Sequence, residues 1–271
     1  MCKLQRRLQH VRPFLNSFRI IFSDLDNEVT HFANLFEKGF FNFLQDNLSG
    51  KRKYVEKIYE LPVDVDLDGL LKRMRLKADS PAADEYRNAI DWLKDRMIPR
   101  AIVKSCSVQA FAKHMLILDG IRYQSKMLHY LLKDHQQVFL YLLTIGDTPA
   151  DLHHTEHYFF QSLKLPMMFG AMKHLKKRML EETGYASLGM ANPGLVPGYP
   201  IEGSRDIFDS FGSAAQKIGL TMSKHNVMVP VFSSSGIFFE DRHHYCECSV
   251  CPIDGCIGRE AAMARPEENL A

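Results

Sequence analysis

The sequence predicts a mixed α/β or α+β domain, because helical stretches alternate with short strand-like runs along most of its length. Three observations carry that expectation. Helix starts with cap residues recur: Asp66 before Leu67, Leu70, Leu71 and Met74, Ser80-Pro81 before Tyr86, Ile90, Leu93 and Met97, and Gln124-Ser125 before a helix through Leu132. Residues 137–145 form the strongest strand, an apolar run closed by Gly146-Asp147. Downstream, residues 218–230, 234–239 and 244–249 read as three strands of one antiparallel sheet.

In chain order, residues 1–22 interleave Lys3, Arg6, Arg7, Arg12 and Arg19 with apolar positions and read as a solvated helix packing one face on the domain, with a transit-peptide-like or basic amphipathic segment as the alternative. Residues 23–47 carry an apolar stripe through Phe32, Leu35, Phe36, Phe40, Phe41 and Phe43, and Asn47-Leu48-Ser49-Gly50 ends it. A boundary at the charged Lys51-Arg52-Lys53 sets a helical extension, 1–53, before a main domain, 54–260, and a polar tail, 261–271. Residues 54–61 follow as a short strand, and 101–108 and 115–121 as two more. A helical region over 149–183 is interrupted by Pro166 and closes at Gly184. Residues 204–216 then suit a helix with Ile207, Phe208 and Phe211 inward.

Composition narrows the function classes. With 46% apolar and 24% charged residues the chain has an ordinary globular composition, and a net charge of +2 leaves no electrostatic footprint for nucleic acid. The longest apolar runs fall far short of a membrane span. No apolar core ending in a small-residue cleavage site marks a secretory signal, so the expected location is the reducing cytoplasm.

Two runs stand apart. Asn192-Pro193-Gly194-Leu195-Val196-Pro197-Gly198-Tyr199-Pro200 holds three prolines and two glycines, so it is neither helix nor central strand. It is a shaped loop, either a rigid connector or a ligand contact through its backbone. Four of the six cysteines, Cys246, Cys248, Cys251 and Cys256, fall in the second run. Their C-x-C-x2-C-x4-C spacing suits zinc or an iron–sulfur cluster, with Pro252 and Gly255 folding Cys256 back. Thiol redox chemistry and inert reduced cysteines are the alternatives. Arg259 either stabilises thiolate charge or pairs with Asp254. His153, His154, Glu156 and His157 lack the His-Glu-x-x-His order of a metalloprotease and read as a solvated helix start. His243-His244 read as a loop tip.

Taken in order, the pieces resemble the activation domain of cobalamin-dependent methionine synthase, and more closely the stand-alone relatives that accompany corrinoid methyltransferases. The resemblance rests on the proline–glycine loop, Ile207-Phe208, Ile218-Gly219-Leu220-Thr221, Met228-Val229-Pro230, Ser233-Ser234-Ser235-Gly236, and Cys248, Cys251 and Cys256 with Arg259. The upstream Thr144-Ile145-Gly146 is similar to the family's step from strand to helix. The resemblance covers residues 55–260 and implies an antiparallel twisted sheet bracketed by helices.

It also implies an accessory factor that binds S-adenosylmethionine, docks on a corrinoid protein and supports reductive remethylation with electrons from a donor protein. Val196, Pro197, Gly198, Tyr199 and Tyr245 are the cofactor contacts it points to, and Cys246, Cys248, Cys251 and Cys256 remain the metal candidates. The chain departs from the family where an Arg precedes the Pro-Gly-Tyr step and where a Glu follows the Leu-Thr pair; Met222 stands at the second position. Those losses favour two alternatives, a non-enzymatic metal- or cluster-carrying module that only docks a corrinoid partner, or a relative with a different small ligand.

Overall fold

The computed structural model describes residues 56–152, 154–251, 253 and 256. The chain divides after Tyr54 into two units, 1–54 and 55–271. The expectations for the N-terminal extension, His153, the Asp254–Arg259 pair and the tail lie outside the described residues.

Strand β1 (Lys57–Glu60) leads into α1 (Leu67–Arg73) and α2 (Pro81–Lys94). Strands β2 (Arg100–Phe111), β3 (Met115–Leu118) and β4 (Ile121–Gln124) follow, then α3 (Lys126–Leu132) and β5 (Gln137–Thr144). The second half holds α4 (His154–Thr183), β6 (Leu188–Ala191), α5 (Gly203–Phe211), β7 (Thr221–Met222), β8 (Met228–Val229) and β9 (Ser233–Glu240). The caps behave as the sequence predicts: Asp66 accepts from Gly69 N–H, Ser80 from Ala83 N–H and Ser125 from Leu128 N–H.

The main sheet runs β4-β3-β2-β5-β9-β6, every pairing antiparallel. Strand β1 shares an edge of β2 with β3, pairing Lys57–Glu60 with the first part of β2 while β3 takes its far end. Side chains alternate between two cores, as a strand's period of two requires. Tyr141, Leu143 and Phe238 face α1, α2 and α4, while Leu140, Leu142, Ile237 and Phe239 face α3, α5 and the turn after it. Strand β5 is buried on both faces, which is why it reads as a nearly unbroken apolar run.

Four expectations are corrected. Helix α4 begins at His154 and runs through Pro166 without a break. Its Phe160, Leu163, Met167, Leu175 and Met179 are all buried, and each such side chain contributes about 1.5–3 kcal/mol, more in sum than the ~3 kcal/mol a mid-helix proline costs. The helix expected over 204–216 ends as α-helix at Phe211; Gly212, at φ 54°, turns the chain into a 3-10 segment, Gly212–Ile218. The expected three-stranded sheet is not formed. Strands β7 and β8 make a separate two-stranded ribbon, β9 lies inside the main sheet between β5 and β6, and residues 244–249 are a loop with a 3-10 turn, Glu247–Ser249. Strand β6 is additional; Gly189 there lies so close to the Phe239 ring that a Cβ would meet it at 2.4 Å.

Among the described residues no helix is long and apolar enough to cross a membrane. The buried Lys104 bonds the Asp119 carboxylate and the Ser210 carbonyl, both at 2.5 Å, so its charge is not left without partners.

Candidate functional site

The chain leaves β6 at Ala191 and enters the proline–glycine loop, which folds on itself. Gly194 N–H donates to Tyr199 O at 2.8 Å, Leu195 N–H to Asn192 O at 3.2 Å, and Tyr199 N–H to Val196 O at 3.0 Å. Gly194 and Gly198 adopt φ of 82° and 72°, left-handed conformations that favour glycine. Its two halves have different environments. Val196 and Tyr199 are core side chains at 3% and 2% exposure, the Tyr199 ring standing edge-on to Tyr123 at 5.6 Å. Burial raises the Tyr199 phenol well above its ordinary pKa. Pro197 and Gly198 are exposed at the tip, where Ser125 Oγ donates to Pro197 O at 3.1 Å and anchors the tip to the start of α3.

Asn192 ties the loop's base to the sheet. Tyr141 Oη donates to Asn192 Oδ1 at 2.8 Å, and Asn192 Nδ2 reaches Ser234 Oγ at 3.5 Å. Gly236 leaves room for this cluster, since a Cβ there would meet Asn192 Oδ1 at 2.3 Å and the Tyr141 hydroxyl at 2.8 Å. The backbone N–H of Asn192 donates to Glu247 Oε1 at 2.5 Å.

Glu247 comes from the cysteine-bearing run. Beyond β9, Asp241 accepts from the N–H groups of His243 and Tyr245, at 2.9 and 3.0 Å. Ser249 then bonds Cys246 O through both its N–H and its hydroxyl, closing the tight turn that carries Glu247. Glu247 is 8% exposed, and burial pushes its carboxyl up to about 8 against the pull of the Asn192 N–H and the Lys176 charge. Tyr245 packs on Phe239 at 5.9 Å between ring centroids, and its buried hydroxyl has no hydrogen-bond partner among the described residues. Its phenol is raised by burial first, then by Glu247 and by Cys246, Cys248 and Cys251.

A solved structure of similar fold is the crystal structure of the MetH reactivation domain bound to AdoHcy. The match has a TM-score of 0.52 at 14% identity and covers 72% of this chain and 82% of that one. The chain has the fold of the MetH reactivation domain. No protein-family profile matches it, and no curated protein does.

Within the reactivation-domain fold, the loop, the serine run of β9 and the cysteine run meet at Asn192. Of the predicted contacts, Pro197 and Gly198 offer exposed backbone, Tyr245 offers a hydroxyl, and Val196 and Tyr199 hold the loop from within the core. The convergence expected of Cys246, Cys248, Cys251 and Cys256 is not seen: among the described residues no three of His, Cys, Asp and Glu come together to hold a metal ion. The turn directs Glu247 inward, Cys251 is buried, and Cys246, Cys248 and Cys256 are half-buried. Pro252 and Gly255, expected to fold Cys256 back, lie outside the described residues. Sequence reasoning missed Glu247 and Tyr141. Glu247 reads as a spacer between two cysteines, and its one signal is an acidic residue inside an otherwise uncharged turn.

Proposed function

We propose that this chain is an accessory factor for the reductive reactivation of a corrinoid methyltransferase, holding an S-adenosyl ligand at the proline–glycine loop and docking on the corrinoid protein. The observation that supports this reading is the shared fold with a reactivation domain that binds AdoHcy, joined to the meeting of the loop, the serine run and the Tyr245–Glu247 turn at Asn192. The N–H of exposed Gly198 would donate to the ligand's carboxylate, a backbone donor standing in for a side-chain cation; Pro197 carries no N–H, and its carbonyl is taken by Ser125 Oγ. The Tyr245 hydroxyl would contribute one further bond. Asn192, held through its side chain and backbone, keeps the loop base fixed, and positioning is the part of catalysis such a protein supplies.

On a corrinoid partner the S-adenosyl ligand would supply the methyl group: one electron from a donor protein would take Co(II) to Co(I), whose electron pair would bond the sulfonium methyl to give methyl-Co(III), the sulfur keeping the broken bond's pair as a neutral thioether. Methyl transfer draws the unfavourable reduction forward, each 59 mV of deficit otherwise costing about tenfold for a one-electron step.

Titration calorimetry with S-adenosylmethionine and with S-adenosylhomocysteine tests the ligand half, and both are expected to bind. Absence of heat at millimolar ligand with folded protein would sink it. Mixing with a Co(II) corrinoid protein tests docking: a shifted cobalt absorption spectrum and co-elution are expected, and neither would appear if the reading were wrong.

A further inference from the structure

We infer that Glu247 is a positioning residue that joins the proline–glycine loop to the cysteine-bearing turn, so that ligand held by the loop and exposure of the Cys246 and Cys248 thiols are reciprocally linked. The joint is one contact, Asn192 N–H to Glu247 Oε1 at 2.5 Å. Each side of it is tied together by hydrogen bonds. On the loop side, Asn192 carries Leu195 on its carbonyl and Tyr141 and Ser234 on its side chain. On the other side, Ser249 bonds Cys246 O twice and Val250 N–H donates to Glu247 O at 3.1 Å, so the turn that carries Glu247 also sets the backbone of Cys246 and Cys248 beside it. Glu247 is buried, so losing its carboxyl strands a backbone donor at the base of the loop. Whatever orders the loop therefore orders the turn, and the converse holds by linkage.

The ligand part of this inference rests on the proposed function; the joint itself does not. Two readouts on the whole protein test the joint without ligand: amide hydrogen exchange over residues 192–199, and maleimide labelling rates of Cys246 and Cys248 resolved by peptide mapping. Glu247→Ala is expected to speed both roughly ten- to hundredfold, while β5 amides keep their protection. Glu247→Gln retains an acceptor oxygen and is expected to stay close to wild type. Glu247→Met keeps the volume without the acceptor and decides the matter if the alanine variant does not fold. Unchanged loop exchange, or faster loop exchange with unchanged labelling, overturns the joint. In the third readout, saturating S-adenosylhomocysteine is expected to slow labelling in wild type and not in Glu247→Met. Ligand that binds by calorimetry yet leaves the labelling rate alone overturns the linkage. Ligand that does not bind at all removes the proposed function, and the joint then stands or falls on the first two readouts.

Discussion

Gly236 occupies a position where a side chain has no room, because Asn192 Oδ1 and the Tyr141 hydroxyl fill the space its Cβ would need. Gly236→Ala must push one of them away and disturb a buried hydrogen-bonded cluster. We expect a loss of about 1–3 kcal/mol, read as a lower denaturation midpoint. Tyr245→Phe makes the opposite case. It deletes a buried hydroxyl without a partner among the described residues, so stability should hold or rise slightly, while affinity for S-adenosylhomocysteine should fall about tenfold if that hydroxyl meets the ligand. Equal affinity in calorimetry would remove Tyr245 from the site. Glu247 predicts a pH dependence of known sign. Its carboxyl rises from 4.5 to about 8 in the folded protein, which therefore keeps a proton that the unfolded chain releases. The group's contribution to stability is complete below 4.5 and declines as pH rises from there to about 8. Urea midpoints measured from about pH 5 to about pH 9 should fall more steeply in wild type than in Glu247→Gln.

At the scale of elements, Ser125 does two jobs, capping α3 and holding the loop tip through Pro197 O. Ser125→Ala should cost about 1–2 kcal/mol and speed amide exchange at the loop tip, whereas a cap substitution at Ser80 should leave the loop unchanged. The caps, β5 and the helix starts were legible because their signals are local: a side chain two or three residues from the amide it serves, or an apolar run of strand length. The fate of β9 was not legible. Nothing between residues 230 and 240 says that its partners are β5 and β6 and not β7 and β8, since that choice is made by packing Ile237 and Phe239 on one face and Phe238 on the other. Strand β6 was hidden for a related reason: Gly189 weakens its strand signal, yet close approach to Phe239 requires it. The loop and the serine run could be picked out as motifs, but their meeting at Asn192 depends on where the sheet delivers each of them. Tyr141 looked like one more apolar strand residue until its hydroxyl was seen to reach the loop.

At the scale of the whole molecule, one sheet serves two cores, so losing either core lays bare one apolar face of the strands β5 and β9 that the other core packs on. Phe238→Ala and Phe239→Ala empty opposite cores, and each should destabilise by about 3–5 kcal/mol. Both should lower one common transition for residues 55–271, with near- and far-ultraviolet dichroism melting together; separate transitions would show that the layers unfold independently. The antiparallel pairing of β5 with β9 also has a consequence during synthesis. Thr144 and Ser233 lie side by side in the sheet, yet α4, β6, the proline–glycine loop and α5 all lie between them in the chain. Until the ribosome has released β9, the nascent chain carries a finished β5 with one bare apolar edge, a template for pairing with its neighbours. Fragments ending just before Ser233 should therefore collect as aggregates, and those extended beyond Glu240 should come off soluble.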